Sequence, residues 1–416
     1  MTAYAPDSLK GRYSQLSTNR SPYLMRGREC SKLTIPTLLP PEGANGSTKL
    51  PTPYQSLGAR GVNNLSAKFL FAILPPNSPI FRLTVDDFTL AKLAQRPGMR
   101  AEVERAFSSM ERAVMTDIET AGIRPDVLES IKQLLVTGNV LVFFTPEGGM
   151  RVFKLDQYVC KRDPAGNVLE LITCEKLSPM EIPEHLKEMG TSATPQPKGK
   201  SADDTVELYT CIKNMGDHWQ IYQELNGHTI GESFGKYPKD KCPWRALRLV
   251  SVNNEDYGRG YVEEYLGELM SLEAVTRAIV QGAAAAAKVL FLIKVNGATN
   301  AKALATSESG DIAEGNKDDV TVLQMDKYAD FKVAMETRNQ LTQSLSYVFM
   351  IASAVQRNGE RVTAEEIRAM IKDLEEGLGG IHASLAKDLQ LPLVKLRIAH
   401  MESTGRLPRL PDGVVK

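Results

Sequence analysis

Between residues 261 and 352 the sequence holds two proline-free runs, 261–288 and 331–352, on either side of a β-like or loop-rich segment at 289–330. The first run has only two glycines and ends in five consecutive alanines at 283–287. It predicts one helix of about 27 residues, roughly 40 Å long. The second run predicts a helix of similar type. Two long helices bracketing a small insert form an antiparallel stalk with a head. The alanine run has two readings. Alanine is the best helix former, and small side chains also let neighbouring helices draw close, including copies of the same helix around a ring.

The rest of the chain is built around that stalk. Residues 1–60 are polar, rich in Pro and Gly and irregular, with one short helical pattern near 24–33. A turn at 51–56 leads into an amphipathic helix at 57–73, which stops before Pro75 and Pro76. Thr84 and Asp87 have N-capping spacing and start a helix at 85–94. A third helix, 101–121, carries Val103, Ala106, Met110, Val114, Met115 and Ile118 on one face. Pro125 begins a fourth, to Val136, with Gly138 and Asn139 as its stop. The period then changes. Strand-like runs at 140–144, 151–155, 158–161, 168–173, 205–213, 217–224 and 246–251 make 139–252 a β-rich insertion, with a capped helix start at 178–181 and a loop at 190–204. After the second long helix come a polar loop at 355–362 and a helix opened by Thr363 and Glu366. Gly379 and Gly380 interrupt that helix. A last one runs 381–403, perturbed at Pro392. The fold class is therefore α+β, mainly helical.

Composition narrows the function. The 416 residues suggest two to four domains. Lys+Arg and Asp+Glu both number 50, which excludes a globally basic nucleic-acid binder but not a local basic stripe. No apolar run reaches about 18 residues and the N-terminus lacks a signal-type core, so neither a membrane span nor secretion is expected. Cys30, Cys160, Cys174, Cys211 and Cys242 are odd in number, widely spread and free of CxxC spacing, which predicts free, partly buried thiols in a reducing compartment. There is no P-loop, nucleophile elbow or HExxH. Acidic pairs such as Asp86–Asp87, Glu263–Glu264, Asp318–Asp319 and Glu365–Glu366 read as solvated charge or helix-start residues. The rival reading, a metal-dependent nuclease, needs carboxylates converging from several elements. No enzyme activity, cofactor or metal is therefore expected. Gly258 and Gly260 let the chain turn tightly into the first long helix. The loop at 355–362 is either a solvated connector or a flexible segment whose Arg357 and Arg361 touch a polyanion weakly, without reading bases.

Six strings, in order and compatibly spaced, carry a resemblance: 28–36 (RECSKLTIP), 52–65 (TPYQSLGARGVNNL), 137–141 (TGNVL), 161–168 (KRDPAGNV), 257–267 (YGRGYVEEYLG) and 353–368 (SAVQRNGERVTAEEIR). The chain resembles the portal, or head-to-tail connector, proteins of short-tailed bacteriophages. The resemblance implies a dodecameric ring at one capsid vertex, through which double-stranded DNA passes during packaging and ejection. It implies a wing at 1–256, stem helices at 257–288 and 331–352, and a small α/β clip at 289–330. A tunnel loop at 353–363, a wing helix at 364–380 and the start of a helical crown at 381–416 complete the family's plan. The tunnel loop would place Gln356, Arg357, Asn358, Gly359, Glu360 and Arg361 in the DNA channel, with Arg338 also near it. Leu266, Leu269, Ala283 and Ala287 would face a neighbouring subunit or, equally, the second stem helix of their own chain. The partners implied are the terminase large subunit, tail adaptor and nozzle proteins, the major capsid protein and scaffold, with no membrane. The particle would be assembled in the host cytoplasm and end in the virion. The alternative is a tail-tube or adaptor ring that never meets the motor.

Overall fold

The computed structural model describes residues 8–76, 79–84, 99–178, 182, 205–286, 290–295, 299–300, 302, 306, 312, 316–323, 328–351 and 364–408. Helix α1, Leu9–Leu33, is far longer than the short pattern expected near its end, and it runs straight through Pro22. It is polar on most sides, so its sequence carries little periodicity. Contacts to the β-rich insertion hold it instead. Leu9 and Leu16 are buried with Val159, Ile172 and Cys211, Arg12 pairs with Glu170 at 2.8 Å, and Arg20 donates to the Tyr158 carbonyl at 2.7 Å.

Helix α2, Leu57–Ile73, has the expected bounds and buries Val62, Leu65, Phe69 and Ile73 along one face. Helix α3, Met99–Thr120, buries Val103, Met110, Val114 and Ile118. Helix α4, Arg124–Thr137, ends at Gly138, whose left-handed φ of 75° lets its N–H reach the Leu134 carbonyl. The helix expected at 85–94, the capped start at 178–181 and the loop at 190–204 lie outside the described residues, apart from Ser178 and Ile182.

The insertion forms two antiparallel sheets. In the first, β1 (Asn139–Phe144) lies between β2 (Met150–Phe153) and β8 (Trp244–Arg248). The second is a five-stranded meander in chain order: β3 (Tyr158–Arg162), β4 (Val168–Leu177), β5 (Val206–Asn214), β6 (His218–Leu225) and β7 (His228–Pro238). Strand β7 was not expected. Its largely exposed sides and its Gly231 and Gly235 erase the hydrophobic alternation. The signal lay in the turn before it, where Asn226 (φ 50°) and Gly227 (φ 84°) make the left-handed pair that suits a two-residue hairpin.

The first long helix is broken. A single turn, α5 (Tyr261–Glu264), precedes α6 (Leu266–Ala286), with Tyr265 at φ −109°, ψ 14° between them. Strands β9 (Leu290–Ile293) and β10 (Val320–Leu323) pair antiparallel, and α7 (Tyr328–Val348) returns. Near one end of the hairpin Gly282 of α6 meets the Phe331 ring, and near the other Ser344 donates to Glu268 at 3.1 Å, which fixes α6 and α7 as antiparallel. Helix α8, Ala364–Leu385, bends at Leu378 (φ −137°) rather than stopping at the following glycine pair. A π-turn at Ala386–Gln390 then widens the backbone into α9, Leu391–Ser403, where Pro392 lacks an N–H and its ring crowds the preceding turn.

The main core joins α2, α4, the bases of α6 and α7, and the C-terminal helices through Leu65, Phe69, Leu134, Leu269, Phe349 and Leu389. Residues 381–403, expected to lead toward a crown, contribute Leu385, Leu393 and Met401 to this same core, and the buried Arg397 pairs with Asp117 at 3.2 Å. All five cysteines are unpaired thiols. Burial pushes Cys30 up to about 12 and Cys160, Cys211 and Cys242 up to about 11, so they stay protonated near neutrality.

The chain entering α5 crosses the corner between α4 and β1 at backbone contact. A Cβ on Gly138 would sit 2.3 Å from the Arg259 carbonyl carbon, and one on Gly260 2.7 Å from the Val136 carbonyl oxygen. The buried Asn139 amide clasps this crossing: its Oδ1 accepts from the Gly258 N–H at 2.7 Å and its Nδ2 donates to the Gly258 carbonyl at 2.9 Å. Asn139→Leu leaves both Gly258 groups unpaired, and a loss of about 3 kcal/mol is expected in urea unfolding of the purified chain. Gly260→Ala should cost at least as much, because backbone rather than a side-chain tip must move.

Candidate functional site

The α6–α7 hairpin and its footing are the candidate site. At its base Leu269, Leu272, Leu345 and Phe349 are buried. Along the outer sides of both helices apolar side chains are exposed: Met270, Val280 and Met335, and Val333, which is 66% exposed.

Two polar clamps hold the base. On α6, the buried Glu273 accepts from the Tyr54 and Gln55 N–H groups at 2.9 and 3.2 Å, and from Arg277 at 3.1 Å. The Arg277 guanidinium lies 5.2 Å from the centre of the Tyr54 ring, a cation–π contact on the same anchor. This ties the hairpin to the turn that precedes α2. Both N–H donors and the guanidinium satisfy the buried carboxylate's oxygens, as burial of a polar group demands.

The second clamp closes the C-terminal end of α7. The Ile351 N–H bonds the Ser346 carbonyl at 2.8 Å and the Met350 N–H bonds the Tyr347 carbonyl at 3.0 Å, with Met350 at φ 52°. That is a Schellman cap built on methionine instead of glycine. Neighbouring elements satisfy the remaining carbonyls. Asn64 Nδ2 donates to Phe349 and Met350 at 3.0 and 3.2 Å, Lys68 Nζ to Met350 at 3.1 Å, and the Tyr261 hydroxyl to Val348 at 3.0 Å. The Lys68 cation also sits at the negative end of the helix dipole. Burial and the adjoining Tyr265 raise the Tyr261 phenol above its ordinary value, which keeps it a neutral donor. Gly61 is required here, because a Cβ would lie 2.5 Å from the Phe349 ring.

The residues expected to matter are dispersed along this hairpin. Leu269 is fully buried in the chain's own core, and Leu266 packs half-buried at its edge. Ala283 is exposed on α6. Arg338, on α7, donates to Asn339 at 2.8 Å. Ala287 and the whole of 356–361 lie outside the described residues. Of the acidic pairs, Glu263 is engaged by Arg26 and Arg259 at 3.1 and 3.0 Å. Among the described residues, no group of three or more His, Cys, Asp or Glu is placed to hold a metal ion, and no helix is long and apolar enough to cross a membrane.

The clamp residues Asn64, Lys68 and Glu273 were missed by sequence reasoning. One signal was available. Asn64 and Lys68 follow Gly61 at intervals of three and four residues, on the face of α2 that also carries Leu65, and Glu273 directly follows Leu272 on the inner face of α6. Removing the shared donor with Asn64→Ala should raise amide hydrogen exchange at 345–351 at least tenfold. The expected loss of global stability is about 1–2 kcal/mol, with exchange in β4–β6 unchanged.

Comparison with known proteins converges on one family. The sequence profile of the bacteriophage head to tail connecting protein matches residues 6–416. The chain is 38% identical over 423 residues to the portal protein of Escherichia phage T7, covering all of this chain and 78% of that one. Identity to the portal protein of Enterobacteria phage T3 is also 38%, with the same coverage. The portal protein of Enterobacteria phage SP6 is 27% identical over 382 residues, 92% of this chain and 73% of its own. Among solved structures, the neck of a native gene transfer agent particle, computed with C12 symmetry, matches with a TM-score of 0.34 and 11% identity over 79% of this chain and 86% of that one, a likeness too slight for structural inference.

Proposed function

The chain belongs to the bacteriophage head-to-tail connecting protein family, the portal proteins, and we propose that twelve copies form a closed ring at one capsid vertex, with the α6–α7 hairpins side by side around a DNA channel. The observation that carries this reading is the hairpin itself. It is anchored firmly at its base, yet Met270, Val280, Val333 and Met335 are exposed. A cyclic ring supplies cover through a heterologous contact, one face of a hairpin against a different face of the next. Leu266, Ala283 and Ala287 belong to that contact in this reading.

The segment 353–363, departing from the capped end of α7, is the tunnel loop. Its Gln356, Arg357, Asn358, Gly359, Glu360 and Arg361, with Arg338 further along the stem, meet phosphates without reading sequence. Glu360 and the neutral overall charge keep the contact weak, because many strong phosphate contacts would oppose sliding. The β9–β10 segment is the clip. It docks the terminase large subunit during filling and tail adaptor and nozzle proteins afterwards, while the wing meets the major capsid protein and scaffold. The chain contributes walls and docking surfaces and no bond-making chemistry; the ATP-driven motor is a separate protein. Assembly takes place in the host cytoplasm, and the finished ring resides in the virion. Since 381–403 packs into the wing core, the crown in this reading begins after Ser403.

Native mass and negative-stain images test the ring. A closed assembly of twelve 45.8 kDa chains is expected at about 550 kDa with a central hole, and Val333→Asp should shift it to smaller species. A stable monomer or dimer across several salt concentrations overturns the reading. Arg357→Ala with Arg361→Ala should leave rings intact but alter the length of DNA packaged or retained; unchanged packaging and infectivity would remove the tunnel-loop assignment.

A further inference from the structure

A groove of about 780 Å³ runs between the β-rich insertion and the C-terminal helices, with the 163–167 turn and β8 on one side and the π-turn and first turn of α9 on the other. Six cationic side chains and three carboxylates line it, in a protein whose net charge is zero. Among the described residues, four of those cations, Lys239, Arg245, Lys387 and Lys395, make no ion pair. Arg248 is held by the Glu255 carbonyl at 2.9 Å, and Arg162 by the carbonyls of Asp256, Gly166 and Ala246 at 3.0, 2.8 and 2.9 Å. Those neutral acceptors orient the two guanidiniums, and the Asp388 and Asp256 carboxylates lie close enough to Arg248 to offset part of its charge. Two of the three carboxylates are already engaged locally: Asp163 accepts from the Asn167 backbone and side chain at 2.7 and 2.9 Å, and Asp388 accepts from the Ser384 hydroxyl at 3.4 Å.

The groove also offers apolar surface. Leu169 and Leu391 are 41% and 48% exposed, and both line it together with Trp219. Uncompensated cations interleaved with exposed leucines do not match the surface of a nucleic acid, whose backbone has no apolar side groups to cover them. They match an extended peptide that alternates carboxylates with apolar side chains.

We infer that this groove is the docking site for an acidic, apolar-anchored peptide segment of a partner protein, its carboxylates meeting Lys387, Lys395 and Arg245 and its apolar side chains covering Leu169 and Leu391. The inference rests on the groove alone and is independent of the channel reading.

The test is fluorescence anisotropy on the full chain as purified, with a short labelled peptide alternating glutamate and leucine. Binding that weakens with salt is expected, and at least tenfold weaker binding by Lys387→Glu with Lys395→Glu. Both lysines are exposed, so native mass and melting temperature should be unchanged; the milder pair Lys387→Ala, Lys395→Ala should give a smaller loss in the same direction. Arg357→Ala with Arg361→Ala should leave peptide affinity unchanged, which separates the groove from the tunnel loop. The proposal is overturned by absent binding, by equal binding of the glutamine-for-glutamate peptide, or by unchanged affinity in the charge-reversed protein. Duplex DNA whose binding is lost in that same variant would make the groove a nucleic-acid site, and a drop in native mass would make it a contact between copies; either result also overturns it.

Discussion

The backbone crossing of Gly258 and Gly260 over the α4–β1 corner is the joint on which the molecule turns. Three glycines make the approach possible, and the Asn139 amide completes it by pairing both Gly258 backbone groups, as a neighbouring strand would. The joint sets the direction in which α5 and then α6 leave the body. Residues flanking it are recruited to the same end. Arg259 bridges Glu255 and Glu263 at 2.8 and 3.0 Å, and the Tyr23 hydroxyl donates to Glu255 at 2.7 Å, so α1 is braced against the same entry. These pairs are partly exposed and each adds little energy. Their effect is on geometry, since they fix a lever arm whose far end lies many residues away.

That lever is held at its base and nowhere beyond it in the described chain. Glu273 secures the outgoing helix and the Asn64–Lys68–Tyr261 cluster secures the returning one. The returning helix ends on Met350 in the left-handed region, which costs an L-residue with a side chain roughly 1–2 kcal/mol. Two Schellman bonds and the donors from α2 outweigh that cost at about 1 kcal/mol each, so the cap persists without glycine. A strained cap over-determined by its neighbours fixes where α7 ends. A glycine held by backbone bonds alone would fray more readily. Local conformation and packing are here one chain of cause.

Legibility in the sequence followed burial symmetry. Helix α2 was read to the residue because one face is apolar, the other polar, and two prolines end it. The β-rich insertion was legible because turn residues punctuate its strands. Helix α1 was not, since it is stabilised by ion pairs and carbonyl contacts from 130 or more residues away, such as Arg20 to Asp156 and Tyr158, and distance in sequence hides those. The break at Tyr265 was not read because 261–266 holds no proline or glycine to mark a stop, and tertiary packing sets the conformation there. The clamp was not read: Asn64, Lys68 and Glu273 look like any solvated helix residue until the carbonyls and N–H groups they serve are in view. Leu269, left open between two packing partners, lies in the core of its own chain, whereas Ala283 is exposed on α6.

The same asymmetry explains why a single chain is an incomplete account of this fold. Among the described residues the two four-residue strands β9 and β10 pair with each other alone, and a two-stranded sheet is marginal in water. The helices that carry them expose valine and methionine along much of their length. Completing the burial of one such half-exposed side chain is worth about 1 kcal/mol, so a contact covering even two of them on each face adds a sizeable fraction of a domain's whole stability. In a closed ring every subunit both gives and receives that contact, and the gain is taken at each interface at once. A firm base therefore does more than hold a helix. It presents the same apolar faces at the same angle in every copy, and a rotation repeated many times closes only if that angle barely varies. The backbone crossing at Gly258 and the carbonyl clamp on α7 are the kind of rigid joints that such closure requires.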